Sequence, residues 1–271
     1  MHSEVRQPAV AGKFYSADAR TLAEEVARNL SPFAKPRPAI GVMVPHAGYV
    51  YSAKVAGQVF SQTIVPARVI VLGPNHTGHG ALDAAALWPS GSFAIPGATI
   101  PVDVELAELI SECDVVRVDR LAHRFEHSLE VELPFLHARE PAVRITPLVL
   151  GPLSYDECAR LGRSLAAAVS QVKDEVLVCA SSDMSHYLDD TRTRKLDHLA
   201  IEPILNLDAR ALFQTVERES ISMCGVIPTT VMLEYARARG ASKATLIDYA
   251  TSGDAFGDRE RVVGYAGIIV E

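Results

Sequence analysis

Four short, nearly unbroken apolar runs, at 39–44, 68–72, 143–150 and 175–180, constrain this chain more than any other feature. Each is too brief for an ordinary helix and shows no alternation, the pattern of strands covered on both faces of a sheet. Amphipathic stretches of helical period lie between them, at 19–30, 52–64, 104–112, 155–170 and 189–205. Asp103 and Ser154 stand where N-caps are needed, so these stretches read as helices covering both faces. The fold class is therefore α/β, with a central mixed β-sheet flanked by helices. No linker-like composition break, repeat or low-complexity segment interrupts the 271 residues, and a single domain over 1–271 is expected.

The stretch 81–103 carries Pro89, Gly91, Pro96, Gly97 and Pro101 around short apolar pieces, which predicts a hairpin rather than a crossover helix. Two more strands are expected at 244–249 and 262–270, joined by a polar loop through Thr251-Ser252-Gly253-Asp254. With 48% hydrophobic and 22% charged residues the chain can bury enough surface to offset its ordering entropy, so disorder is excluded. A net charge of −7 supplies no basic field for nucleic acid or an anionic membrane, which leaves a small-molecule or peptide ligand. Cys113, Cys158, Cys179 and Cys224 form no C-x-x-C pair, the usage of a reducing compartment. The first dozen residues lack the apolar core of a signal peptide, and nowhere do 18 apolar residues follow one another. A cytoplasmic protein is expected.

In α/β sheets ligands bind beyond the carboxyl ends of strands. The run at 39–44 leads into Pro45-His46-Ala47-Gly48-Tyr49, that at 68–72 into Gly73-Pro74-Asn75-His76-Thr77-Gly78-His79, and that at 175–180 into Ser181-Ser182-Asp183-Met184-Ser185-His186-Tyr187. A lone histidine in a turn usually just bonds to backbone. Three at successive strand ends point to imidazoles gathered for an open transition-metal site. His123 and His127 are four apart, so a helix would place them on one face; His127 is the better functional candidate, and His123, like His79, receives no role. Glu126, Glu130 and Glu132 suit either orienting a histidine or a solvated face. Cys224 precedes an apolar helical pattern from 226 to 235, where a helix N-terminus would favour its thiolate. Cys179 lies in a buried strand and Cys113 and Cys158 in helical patterns. No dinucleotide, P-loop or nucleophile-elbow motif is present, and Asp183 and His186 are too close in sequence for a hydrolytic dyad.

These blocks, together with Arg6-Gln7-Pro8-Ala9-Val10-Ala11-Gly12-Lys13-Phe14-Tyr15, Glu126-His127-Ser128-Leu129-Glu130, Cys224-Gly225 and Ser252-Gly253-Asp254, resemble the Memo family over nearly the whole chain. Its bacterial and archaeal members are often called AmmeMemoRadiSam system protein B. Ser16 and Ala53 stand where that pattern has Pro and Gly. The resemblance implies a fold like that of class III extradiol dioxygenases, whose non-haem Fe(II) is held by two histidines and a carboxylate. Carried over, His46 and His76 become metal ligands and Cys224 stands in the carboxylate's place. His127 and His186 take the positions that bind substrate and move protons, with Asp183 beside them as a catalytic residue. A thiolate shifts the metal preference, so iron or copper is expected, with zinc also compatible. The implied function is a metal-dependent redox enzyme acting on a small substrate. The alternative is a non-catalytic module that binds an anionic or phosphorylated peptide, or a partner protein, in the same cleft. Proteins of the AMMECR and radical-SAM types are the implied pathway partners.

Overall fold

The computed structural model describes residues 4–32 and 35–271. At its centre four parallel strands run side by side in the order Gly41–Val44, Val176–Ser181, Arg68–Pro74, Arg144–Leu150. All four are the expected apolar runs, and the first three are buried at every position. Antiparallel partners extend the sheet on both sides. Ala85–Leu87 pairs with Arg144–Leu150 and carries Val116–Val118 beyond it. At the other side Val262–Val270 pairs with Gly41–Val44, and Ala244–Thr251 and the short strand His186–Leu188 pair with Val262–Val270. The sheet is thus mixed and helix-flanked, as the sequence predicts.

Helices cover both faces. Gly41 approaches Met232 of the helix Val226–Ala238, whereas Gly267 approaches Val55 and Val59 of the helix Tyr49–Ser61. Gly41 pairs with Val270, so Gly267, an odd number of positions away, faces the opposite side. The helices Ala19–Asn29, Val104–Ser111, Tyr155–Val169 and Asp190–Leu205 fall within about three residues of their expected bounds. Asp103 and Ser154 cap theirs, Ser154 in a capping box with Glu157. The hairpin expected within 81–103 is Ser92–Ile95 with Ala98–Pro101, and Val5–Arg6 adds a parallel third strand.

Two local expectations differ. The link at 251–254 is not a loop: Thr251 caps the short helix Ser252–Phe256, its hydroxyl and the Asp254 carboxylate closing a capping box. Nor do His123 and His127 share a helix, because Leu121–Arg124 stops at Phe125 and Glu130–Glu132 forms a separate 3₁₀ turn. The two histidines therefore point into different environments. Among the described residues no helix is long and apolar enough to cross a membrane.

The segment 126–132 is anchored by charge. Glu130, fully buried, pairs with the Arg6 guanidinium and accepts from the backbone N–H of Ala9 (2.8 Å), that of Val10 (3.0 Å) and the Tyr15 hydroxyl (2.5 Å). Four donors on one carboxylate satisfy its buried oxygens, which makes the charge tolerable away from water. They also tie residues 6–15 across the sheet's carboxyl end.

Candidate metal centre

The central strands share one direction, so their carboxyl ends deliver side chains to one place. Val44 lies level with Ser181, and two residues further His46 turns back beneath the opening, 1% exposed. Its backbone N–H donates to Asp183 Oδ1 at 2.9 Å, which fastens one strand-end loop to the next. Its Nδ1 lies 2.7 Å from Ser181 Oγ and its Nε2 3.3 Å from Cys224 Sγ, across 178 positions of sequence.

His76 follows the strand Arg68–Pro74 on a turn built by Asn75. The Asn75 side-chain oxygen accepts from the backbone N–H of Thr77 (3.1 Å) and of Gly78 (3.0 Å), and Gly78 takes φ +68°, where a glycine has no Cβ to clash. Glu126 then holds the loop, accepting from His76 N–H at 2.6 Å and Nδ1 at 2.9 Å, and from the backbone N–H of His127 (2.8 Å) and Ser128 (2.9 Å). Burial alone would raise the Glu126 carboxyl, but hydrogen bonds and the charge of His76 hold it down at about 2.

The candidate ligand atoms of His46, His76 and His127 all lie within 4.8 Å of one another. The His76 and His127 rings stack at 4.6 Å, and Phe14 packs on His127 from the tied N-terminal segment at 4.8 Å. Burial, then the neighbouring histidines, hold His46 well below the usual imidazole range, and burial also lowers His127. Neutral imidazoles with Nδ1 occupied and Nε2 free are the state in which histidine takes a metal. His46 has its Nδ1 on Ser181, and His76 has its Nδ1 on Glu126.

Cys224 meets this group through His46. Its Sγ also accepts from the Asp183 backbone N–H at 3.2 Å. The close approach depends on Gly225, where a Cβ would fall 2.4 Å from the Ser181 carbonyl oxygen and 2.3 Å from Ser182 Cβ. Burial and then the Asp183 charge push the thiol above its ordinary range, so the helix that begins at Val226 does not make it a thiolate as the sequence suggested. Burial likewise pushes Asp183 up to about 6, against the lowering effect of His186 and of backbone N–H donors.

His186 stands at the edge of the same group. Its Nδ1 donates to the Ser222 carbonyl (2.8 Å), leaving Nε2 free. Next to it Tyr187, 64% exposed, holds φ +62°, a left-handed backbone that costs a non-glycine residue of order 1 kcal/mol or more. A cavity of about 1080 Å³ opens over these groups, with His46, His76, His127, Asp183 and His186 in its wall and Lys13 and Arg261 also lining it.

His123 and His79 lie elsewhere. His123 is buried at 1% exposure, its Nε2 donating to the Ala86 carbonyl (2.8 Å) and its ring edge-on to Trp88. His79 packs against the exposed Phe125. Sequence reasoning passed over Ser181 and left Glu132 open to a solvated role, yet Glu126, Glu130 and Glu132 are all 1% exposed or less. For Glu130 and Glu132 the signal was a carboxylate set between apolar neighbours, Leu129, Val131 and Leu133.

The family profile described as "Memo-like protein" matches residues 6–269. A MEMO1 family protein of Methanosarcina mazei is 38% identical over 270 residues, covering 99% of this chain and all of that one. A MEMO1 family protein of Aquifex aeolicus is also 38% identical, over 269 residues and 98% of each chain. A solved structure, that of an uncharacterized protein from Escherichia coli K12, superposes with a TM-score of 0.47 at 13% identity, over 84% of this chain and 98% of that one. Matched almost from end to end by the profile and by relatives of equal length, the chain belongs to the Memo-like family.

Proposed function

We propose that this protein is a metal-dependent redox enzyme acting on a small substrate in the cavity above His46, His76 and Cys224. The observation that carries the reading is the convergence of three imidazoles within 4.8 Å, with a thiol 3.3 Å from one of them, at the base of a cavity large enough for a small organic molecule. The donor set fits a transition ion of intermediate softness, iron or copper before zinc: imidazoles, a sulfur, and a buried carboxylate behind His76. In this reading His46 and His76 offer Nε2, and Cys224 offers Sγ once its proton has left. Such an ion supplies Lewis acidity and, if redox-active, a place for electrons.

The chain's own part is proton handling and exclusion of water. His127 is held below the usual imidazole range, so at neutral pH its ring is ready to accept a proton. His186 is fixed by Ser222 in the tautomer that leaves Nε2 as a base at the cavity wall. Asp183 joins the two sides, its carboxylate holding the His46 backbone and its own N–H holding Cys224. Phe14 and Tyr15, tied down through Glu130, wall the cavity on the side of the N-terminal segment.

Metal analysis of protein purified without chelator tests the proposal, paired with single substitutions. His46→Ala and Cys224→Ala should lose stoichiometric metal and keep their circular-dichroism signal. His127→Ala and His186→Ala should keep the metal and lose about 10²-fold or more of metal-dependent O₂ consumption, the scale of a lost general acid or base. Because His127 shares the 4.8 Å group, loss of metal on its substitution would make it a ligand instead. Wild-type protein that turns over nothing with iron, copper, manganese or zinc across a catechol and peptide panel would replace the enzyme by a binding module.

A further inference from the structure

Behind His46, on the side away from the cavity, a hydrogen-bond chain runs into the core. His46 Nδ1 lies 2.7 Å from Ser181 Oγ, and Ser181 Oγ lies 3.0 Å from Glu132 Oε1. All three residues are 1% exposed or less, and the other carboxyl oxygen of Glu132, Oε2, has no hydrogen-bond partner among the described residues. Nothing in the proposed chemistry uses Glu132, yet a carboxyl in such a place needs a reason: one hydrogen bond does not compensate a buried charge.

A serine hydroxyl has one hydrogen, and this decides what the chain can do. If Ser181 donates to Glu132, it must accept from His46 Nδ1–H, and His46 Nε2 is a bare lone pair. If Ser181 donates to His46 Nδ1, it must accept a proton held on Glu132 Oε1, and Nε2 carries the hydrogen and donates it to Cys224 Sγ. A protonated Glu132 favours the second arrangement, because its only partnered oxygen is Oε1 and a hydrogen on Oε2 would be donated to nothing. Burial, opposed only by the Ser181 hydrogen bond, raises the Glu132 carboxyl well above its ordinary range, in keeping with that state.

We infer that Glu132 is the proton store of a reversible relay, Glu132–Ser181–His46, whose direction determines whether His46 Nε2 presents a hydrogen or a lone pair. The inference rests on the metal reading above for its second state. In the metal-free state hydrogens sit on Glu132 Oε1, Ser181 Oγ, His46 Nε2 and Cys224 Sγ. When Nε2 and Sγ become ligands, the hydrogens of Nε2 and Sγ leave to solvent, Ser181 passes its hydrogen to His46 Nδ1, and Glu132 passes its own to Ser181. Four hydrogens become two, two protons are released, and Glu132 is left as a carboxylate accepting from Ser181. Glu132 and Ser181 are positioning residues: they act on the site only through His46.

The test uses the whole protein, metal-free and loaded with Zn²⁺, in wild-type, E132Q and S181A forms. Infrared difference spectra should show the C=O stretch of a buried carboxylic acid in metal-free wild type that disappears on loading. That band should be missing in E132Q, and in S181A it should persist after loading because the relay is cut. Calorimetry in buffers of different ionisation enthalpy should count one more proton released by wild type than by either variant. Long-range ¹H–¹⁵N correlation should find His46 as the Nε2–H tautomer in the metal-free wild type. A band that survives Zn²⁺ loading in wild type, equal proton release in all three proteins, or a metal-free Nδ1–H tautomer each overturns the relay. Should Zn²⁺ fail to bind wild type, the metal reading falls by itself, and the relay stands or falls on the metal-free band and the His46 tautomer.

Discussion

His46 and His76 stand 5.1 Å apart, ring centre to ring centre, yet the groups behind them are held in opposite ways. Behind His76 lies Glu126, a carboxylate with four N–H donors on it, ionised down to about 2. Behind His46 lies a neutral hydroxyl, and behind that Glu132, with a single partner and a carboxyl raised by burial. The two glutamates are six residues apart on one segment, and each is 1% exposed or less. What separates them is the number of donors that reach them: enough hydrogen bonds make a buried charge stable, and too few make the proton stay. The His76 side is thus organised by charge, and the His46 side by close packing, through Gly225 against Ser181 and Ser182.

The most direct way to break this contrast is Glu126→Ala. It leaves the N–H groups of His76, His127 and Ser128 without their acceptor, Ser128 being fully buried and His127 partly so, and stability should fall by about 3–5 kcal/mol in urea unfolding, several donors losing a partner at about 1–3 kcal/mol for each one kept from water. Metal affinity should drop by roughly 10- to 100-fold as His76 loses its orientation.

His123 sharpens the contrast, because it is a buried histidine with no carboxylate at either nitrogen. Its Nδ1 has no partner among the described residues, and burial holds its pKa down to about 4 from 6.5. Between those values the unfolded chain binds the proton and the folded one does not. The stability His123 allows is therefore intact above about pH 6.5 and declines as the pH falls towards 4, by about 3 kcal/mol in all. Urea unfolding across that range should show a shallower acid slope in His123→Leu than in wild type; parallel curves would refute the assignment.

Gly225→Ala tests the packed side. The added methyl must displace the end of the strand Val176–Ser181 or the Cys224 loop, which should cost about 1–3 kcal/mol and widen the His46–Cys224 approach, read as weaker Co²⁺ absorption from sulfur ligation. The smallest effect is expected from Glu132→Met. With one hydrogen bond to lose and a similar volume to fill, its unfolding free energy should stay within about 1 kcal/mol of wild type. A loss as large as that of Glu126→Ala would mean that Glu132 is ionised in the resting fold.

Much of this architecture was legible beforehand. The four apolar runs became the four parallel strands, because a strand covered on both faces must be apolar throughout, and the direction shared by those strands put His46, His76 and His186 at one end. Local chemistry was legible where it closes within a few residues, as with the caps at Asp103 and Ser154. It was misread where a four-residue polar link had enough capping to form the helix Ser252–Phe256.

The residues' types and their order along the chain therefore determined the sheet, its helices and the end at which histidines collect. Only the tertiary structure decided that His123 serves the core while His127 joins the cavity, since a helix that stops at Phe125 turns them apart. It alone also decided which buried glutamate keeps its proton. Donors from positions 76, 127 and 128 reach Glu126, and donors from 6, 9, 10 and 15 reach Glu130, whereas Glu132 meets a single hydroxyl, that of Ser181. A carboxylate's charge state depends on the number of dipoles aimed at it and on its distance from water, and both are properties of the folded chain, not of the letters that encode it.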